Sequence, residues 1–182
     1  MRYQILFAYI TILLFGCNDV NKITTYKIEK PEAFSRKDIS LKPTSKLNWT
    51  TPNNWIVKSK TEMRIASFDA PFSENDFADV SIVIFPGEAG GIKQNINRWR
   101  KQINLDNSNL KDILNESSEY ENTLGPFRIF KLLNNSIEQG ILGAIINYNN
   151  QSIFIKVKTS SIGINELEYE FILFCKSLYW ID

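Results

Sequence analysis

The chain has 182 residues, 43% of them apolar and 13% aromatic, with 21 basic against 20 acidic side chains and no histidine. That length and aromatic content suit one domain with an ordinary core, and the balanced charge disfavours a nucleic-acid binder, which needs a basic stripe. Without histidine there is no His general base, Ser-His-Asp triad or His-ligated metal, and an enzyme would have to work with carboxylates or Lys. No catalytic residue, metal site or cofactor is expected.

Met1 and Arg2 open the chain, and Ile5 to Phe15 is an apolar run of 11 residues. A membrane span needs about 20 residues, so the run fits the h-region of a secretory signal instead. The ending Leu14-Phe15-Gly16-Cys17 resembles the lipobox of bacterial lipoproteins. An ordinary signal or an uncleaved anchor is the competing reading. The resemblance implies a leader over 1–16, a diacylglyceryl thioether on Cys17 and a mature chain held to a membrane by its lipids. Asn18 follows the cysteine where inner-membrane retention commonly uses Asp, which points to the outer membrane, facing the periplasm. With Cys17 acylated, Cys175 stands alone in the apolar stretch Phe171 to Cys175. It reads as a buried, inert thiol.

Residues 17–47 read as a tether, with Pro31, Pro43 and seven Lys or Arg between Lys22 and Lys46. The domain proper is expected over 48–182, with 13 basic and 16 acidic residues. It opens on Trp49-Thr50-Thr51-Pro52-Asn53-Asn54-Trp55, a turn flanked by two tryptophans. Strands are expected over Glu62 to Phe68 and Asp79 to Phe85, the second closed by Pro86-Gly87. Ile92, Ile96, Trp99 and Ile103 then fall at i, i+4, i+7 and i+11, a helical stripe. A short helical turn around Leu110 to Leu114 precedes four strand-like pieces: Glu116 to Asn122, Phe127 to Leu133, Gln139 to Tyr148 and Ser152 to Lys158. Asn149-Asn150 suits a hairpin turn, because Asn tolerates positive φ. A last helix is expected over Asn165 to Trp180, with Glu166, Glu168 and Glu170 in its first turns. The order implies an α+β fold, an antiparallel sheet with helices packed on it.

Three pieces together resemble a family of bacterial envelope proteins. The first is Trp49-x-x-Pro52-x-x-Trp55 with Arg64-Ile65-Ala66-Ser67-Phe68. The second runs through Asp79-Val80-Ser81, Gly87-x-x-Gly90-Gly91 and Asn95-x-Asn97-Arg98-Trp99-Arg100-x-Gln102. The third is Phe154-x-Lys156 with Phe171-x-x-Phe174 and Ser177-Leu178. The layout is similar to the PsbP-like α/β/α sandwich, named for a lumenal subunit of photosystem II. Where that pattern shows Lys-x-x-Gly-Pro after the Phe-x-Lys strand, this chain has Lys158-Thr159-Ser160. The resemblance implies a non-catalytic module that assists assembly or binds a protein partner.

The candidate binding face is Asn95, Arg98, Trp99 and Gln102 on the first long helix, with Gly90, Gly91, Trp49 and Trp55. An arginine fork, two amides and an indole edge can recognise a carboxylate, a glycan or a partner backbone. The structural alternative has Trp99 in the core, Asn95 and Arg98 tying loops, and Arg100 in solvent. Gly87 to Gly91 reads as a flexible strand-to-helix turn more readily than as an anion cradle, since it lacks the Lys-Ser/Thr of a phosphate loop. Trp49 and Trp55 form either a ligand cage or packing around Pro52, and Glu116, Glu119 and Glu121 a solvated strand edge. The chain is thus expected to be a lipid-anchored envelope protein that works by contact with a protein partner. Small-ligand binding is the second reading, and an enzyme is not expected.

Overall fold

A computed structural model describes residues 47–59, 61 and 63–181. Cys17, the leader and the tether up to residue 46 lie outside the described residues. Nine strands and three helices follow: β1 (Leu47–Asn48), β2 (Ile56–Val57), β3 (Ala66–Phe72), β4 (Asp76–Pro86), α1 (Gly91–Gln102), α2 (Leu110–Asn115), β5 (Ser118–Asn122), β6 (Gly125–Asn134), β7 (Gln139–Tyr148), β8 (Gln151–Ser160), α3 (Ser161–Lys176) and β9 (Tyr179–Trp180). Seven of the strands form one antiparallel sheet, in the order β2-β3-β4-β8-β7-β6-β5, while β1 pairs with β9. The fold is α+β, as the sequence implies.

Side chains alternate across each strand, and here both faces are covered. Ile153, Ile155 and Val157 of β8 join Leu142, Ala144 and Ile146 of β7 in a core with Phe171, Phe174 and Cys175 of α3. The intervening Phe154, with Ile141 and Ile145, joins Ile96 and Trp99 of α1 and Ile103 at its C-cap in a second core. The two cores lie on opposite faces of the sheet, giving three layers. The β7–β8 hairpin turns on Asn149 and Asn150, at φ 46° and 55°, the double positive that a type I′ turn requires.

Several boundaries move from the sequence reading. The first expected strand lies further on, at β3, and Met63 is exposed. Pro71 sits inside β3, beyond the last residue that β2 pairs, where the strand is locally an edge and a missing N–H is tolerated. α3 begins four residues earlier than expected, because the Ser160 hydroxyl caps Gly163 N–H at 3.2 Å. It ends at Lys176, so Tyr179 and Trp180 leave the helix to pair with β1.

That shift changes what the α3 acids do. None lies in its first turn. Each instead ties down a different element: Ser73 N–H and Oγ donate to Glu166 at 2.8 and 3.1 Å, Lys131 to Glu168 at 2.6 Å, and Trp55 Nε1 to Glu170 at 2.7 Å.

Candidate functional site

The polar cluster on α1 separates into two jobs. Asn95 is buried, and its Nδ2 donates to the carbonyls of Ala89 and Gly91 at 2.9 and 2.8 Å, closing the β4–α1 turn. Asn97 exchanges two hydrogen bonds with Ser108, and Arg100 Nε donates to Asp106 O at 2.6 Å. Those residues hold loops, and Arg100, expected in solvent on the structural alternative, is among them. Trp99 is buried against Phe154, its ring over Gly143 of β7. Arg98 and Gln102, one turn apart, remain on the outer side, and Arg98 Nη1 donates to Asn95 Oδ1 at 3.1 Å.

The outer side of α1 meets the uncovered flank of its sheet face. The apolar core beneath α1 draws on β6, β7 and β8, and toward β3 the same face turns polar. Ser67 of β3 is the register partner of Ser81 of β4, which is the partner of Lys156 of β8. One row along, Asp69, Asp79 and Lys158 repeat that order. Arg64 grips both Asp79 oxygens at 3.0 Å, and Lys58 reaches Asp69 at 2.8 Å, which holds its ammonium above the ordinary lysine range.

Between this flank and α1 lies a cleft of about 160 Å³. Its polar lining is Arg64, Arg98, Lys156, Ser81 and Asn95. Val83, Phe85, Phe154 and Trp99 make the apolar end. Lys156 Nζ donates to Gln102 Oε1 at 3.1 Å, and Lys158 Nζ to Gln102 O at 3.3 Å. Among the described residues, Arg98, Lys156 and Lys158 have no carboxylate within ion-pair distance; Arg64 has Asp79. α1 itself carries Lys93, Arg98, Arg100 and Lys101 and no acid, whereas α3 carries the three glutamates. The domain's modest net acidity therefore conceals a basic face opposite an acidic one.

Burial, followed by the charges of Arg64 and Lys158, lowers Lys156 below the ordinary lysine value of 10.5. The folded state thus holds this proton less tightly than the unfolded chain does. Below the lowered pKa both states are protonated and the cost is fully present; it fades as pH rises through the folded pKa toward 10.5. Lys156→Met keeps the stem and removes the charge. It is expected to raise the melting midpoint at neutral pH by about 2–4 °C in calorimetry. A lower midpoint would mean that the ammonium is net stabilising.

The other predicted site residues lie elsewhere. Trp49 and Trp55 pack on the α3 side: the Trp55 ring centroid is 4.8 Å from that of Phe174 and 5.7 Å from that of Phe68, with Trp49 edge-on to both. They share no surface with Arg98. Gly90 and Gly91, at φ 89° and 72°, make the turn into α1 and line a separate open groove with Leu110, Leu114 and Ile145. Cys175 is buried in the α3 core, and desolvation pushes its thiol well above 9.0, away from the reactive thiolate. Arg64, Ser81 and Lys156 stand in the three sequence motifs but outside the candidate binding face. They come from three elements, and only the register of β4 on β8 brings the last two together.

No family model matches the chain, and no curated protein sequence matches it. Solved structures do. The solution structure of cyanobacterial PsbP (CyanoP) from Synechocystis sp. PCC 6803 superposes with a TM-score of 0.50 at 11% identity, over 76% of this chain and 89% of that one. A protein of Bacteroides thetaiotaomicron VPI-5482 gives 0.42 at 12% identity, over 75% of this chain and 45% of that one. LpqN, involved in cell envelope biogenesis of Mycobacterium tuberculosis, gives 0.38 at 6% identity, over 72% and 82%. The first likeness makes the fold PsbP-like, and function has to be argued from the site.

Proposed function

We propose that this is a lipid-anchored protein of the cell envelope, held by Cys17 at the outer membrane and facing the periplasm, whose domain works by contact with a protein partner and not by catalysis. The lipobox-like Leu14-Phe15-Gly16-Cys17 supports the anchor. Among the described residues no helix is long and apolar enough to cross a membrane. The observation that carries the contact reading is the basic face of α1. Arg98 of α1 and Lys156 of β8 line the cleft, Lys158 bonds to the C-terminal end of α1, and Lys101 lies further along the outer side of the helix, on a domain that is otherwise slightly acidic. Like charges gathered in excess of the nearby Asp79, which Arg64 already grips, cost stability, and such a cost is a mark of a surface selected for binding.

One experiment has two arms. A photo-crosslinking residue at exposed Lys101 is expected to trap one protein adduct in membranes, abolished by Arg98→Glu; the same probe at Tyr169, exposed on α3, traps none. Cys17→Ser is expected to move the chain from the membrane pellet to the soluble fraction, since stable anchoring needs more than one acyl chain. Equal trapping from both helices, or none from Lys101, overturns the contact reading. Retention of the serine variant in the pellet overturns the anchor.

A further inference from the structure

The cleft beside α1 has two ends of different chemistry. β4 runs from Ser81 through Val83 to Phe85 along the cleft floor, and β8 runs antiparallel beside it from Phe154 to Lys156. A hydroxyl and an ammonium therefore stand at one end, and two aromatic rings and a valine at the other. Phe85 and Phe154 meet edge to face, with centroids 5.8 Å apart, and Trp99 meets Phe154 in the same way at 6.2 Å. Those rings make a rigid apolar pad that cannot collapse into the cleft.

The polar donors that line the cleft are unequal in how far they are already used. Arg64 has both terminal nitrogens on Asp79. Arg98 has only Nη1 engaged, on the amide oxygen of Asn95, whose own Nδ2 is locked to two carbonyls. That contact orients the guanidinium without neutralising it. Lys156 has one bond, to a neutral amide oxygen. Ser81 is buried, lines the cleft, and its hydroxyl makes no hydrogen bond to the described residues. One strand over, on the same face, Ser67 Oγ is buried with no partner among them. A half-paired guanidinium, a half-buried ammonium and the spare Ser81 hydroxyl around an apolar pad form an incomplete network, with a second unpartnered hydroxyl, Ser67, one strand away.

We propose that the cleft binds a carboxylate carried on an apolar group, with Arg98 and Lys156 taking the carboxylate, Ser81 donating to it, and Phe85, Phe154 and Val83 receiving the apolar part. A planar carboxylate suits a guanidinium edge and pairs with it through charge-assisted bonds. The size suits one such group, and the floor favours an organic acid over a bare inorganic anion. The chemistry has two sources, a free acid or the C-terminal residue of a partner protein. The proposal rests on the α1 face being the functional surface and specifies what that surface recognises.

The test uses the full chain in a non-ionic detergent. The probes are 3-phenylpropionate, its amide, the peptide Gly-Gly-Gly-Phe as free acid and as amide, and inorganic phosphate. By calorimetric titration at least one acid is expected to bind about tenfold or more tighter than its amide. Arg98→Gln and Lys156→Met are each expected to weaken the acid about tenfold while the melting midpoint is held or raised. Tighter binding of the peptide acid assigns the site to a chain end, and tighter binding of the small acid to a free ligand; both support the proposal. Equal binding of acid and amide, no acid binding at about 10 mM, or phosphate binding as tightly as the acid overturns it. Crosslinking from Lys101 that persists while these titrations fail would leave the contact reading standing and remove only the carboxylate.

Discussion

Phe174→Ala is expected to lower the free energy of unfolding by about 3–5 kcal/mol, measured by urea denaturation, whereas its neighbour Leu173→Ala changes it by about 0.5 kcal/mol or less. Both are large apolar side chains, and the main difference is which way α3 turns them. Phe174 is 1% exposed and its ring meets three others: Trp55 at 4.8 Å, Phe68 at 5.7 Å and Trp49 at 6.4 Å between centroids. Leu173 is 47% exposed. Removing the Phe174 ring forfeits its transfer energy and also leaves a cavity that neighbours held at several points cannot fill. Trp55 is pinned by its bond to Glu170, and Phe68 by the pairing of β3 with β4. Domains of this kind are stable by roughly 5–15 kcal/mol, so the loss is a large fraction of the whole. A loss near 1 kcal/mol would mean that the four rings are not the keystone of the α3 core. The binding properties of the opposite face should persist in the fraction that stays folded, because Arg98 and Lys156 touch none of these rings.

The same four rings show where reading from the chain alone stops. Trp49 and Trp55 sit near each other around a turn, and local spacing favours packing around Pro52 over a ligand cage without saying what they pack against. The decision lies with Phe68, thirteen residues past Trp55, and Phe174, far beyond it, and no local pattern announces that meeting. Elements whose evidence is local were legible. The β-branched run of β8, the Asn149-Asn150 turn and the Ile96, Trp99, Ile103 stripe of α1 all appear close to where periodicity puts them. Boundaries drifted where two signals disagreed. α3 starts ahead of Gly163 at the Ser160 cap, and packing accounts for the glycine, since a Cβ there would come within 2.8 Å of Phe72 and Thr159. Leu178 continues the helical stripe, yet the chain has already left α3 at Ser177, which caps it and also bonds to Thr50. The site divides in the same way. Asn95, Arg98, Trp99 and Gln102 share one helix and were found as a cluster, whereas Arg64, Ser81 and Lys156 join them only through sheet register and a crossover of some fifty residues.

Gly143 is the position where packing and the site are most tightly linked, and Gly143→Val is expected to cost about 3 kcal/mol or more in the same denaturation assay. The glycine lies in the middle of β7, an unfavourable place for its entropy, where a β-branched residue would normally be preferred. Its backbone φ is ordinary, so the reason is space. A Cβ built on it would collide with Cζ3, Cη2 and Cε3 of the Trp99 ring, closer than any real contact. The missing side chain lets the indole settle onto the sheet, and the indole in turn sets how near α1 lies to β7 and β8. Valine must push the ring, and with it α1, outward. Since Arg98 precedes Trp99 and Gln102 follows by three residues, that displacement opens the cleft and breaks the Lys156 to Gln102 bond. The second half of the test isolates this cause. Trp99→Leu alone should lose about 2–3 kcal/mol by leaving a void, but combined with Gly143→Val it should lose less than the sum by about 1 kcal/mol or more, because the smaller side chain admits the new methyls. Strict additivity in that cycle would show that the strain lies elsewhere and that Trp99 does not set the position of α1. If the coupling is found, carboxylate binding should track it, weakened in Gly143→Val and partly regained in the double variant.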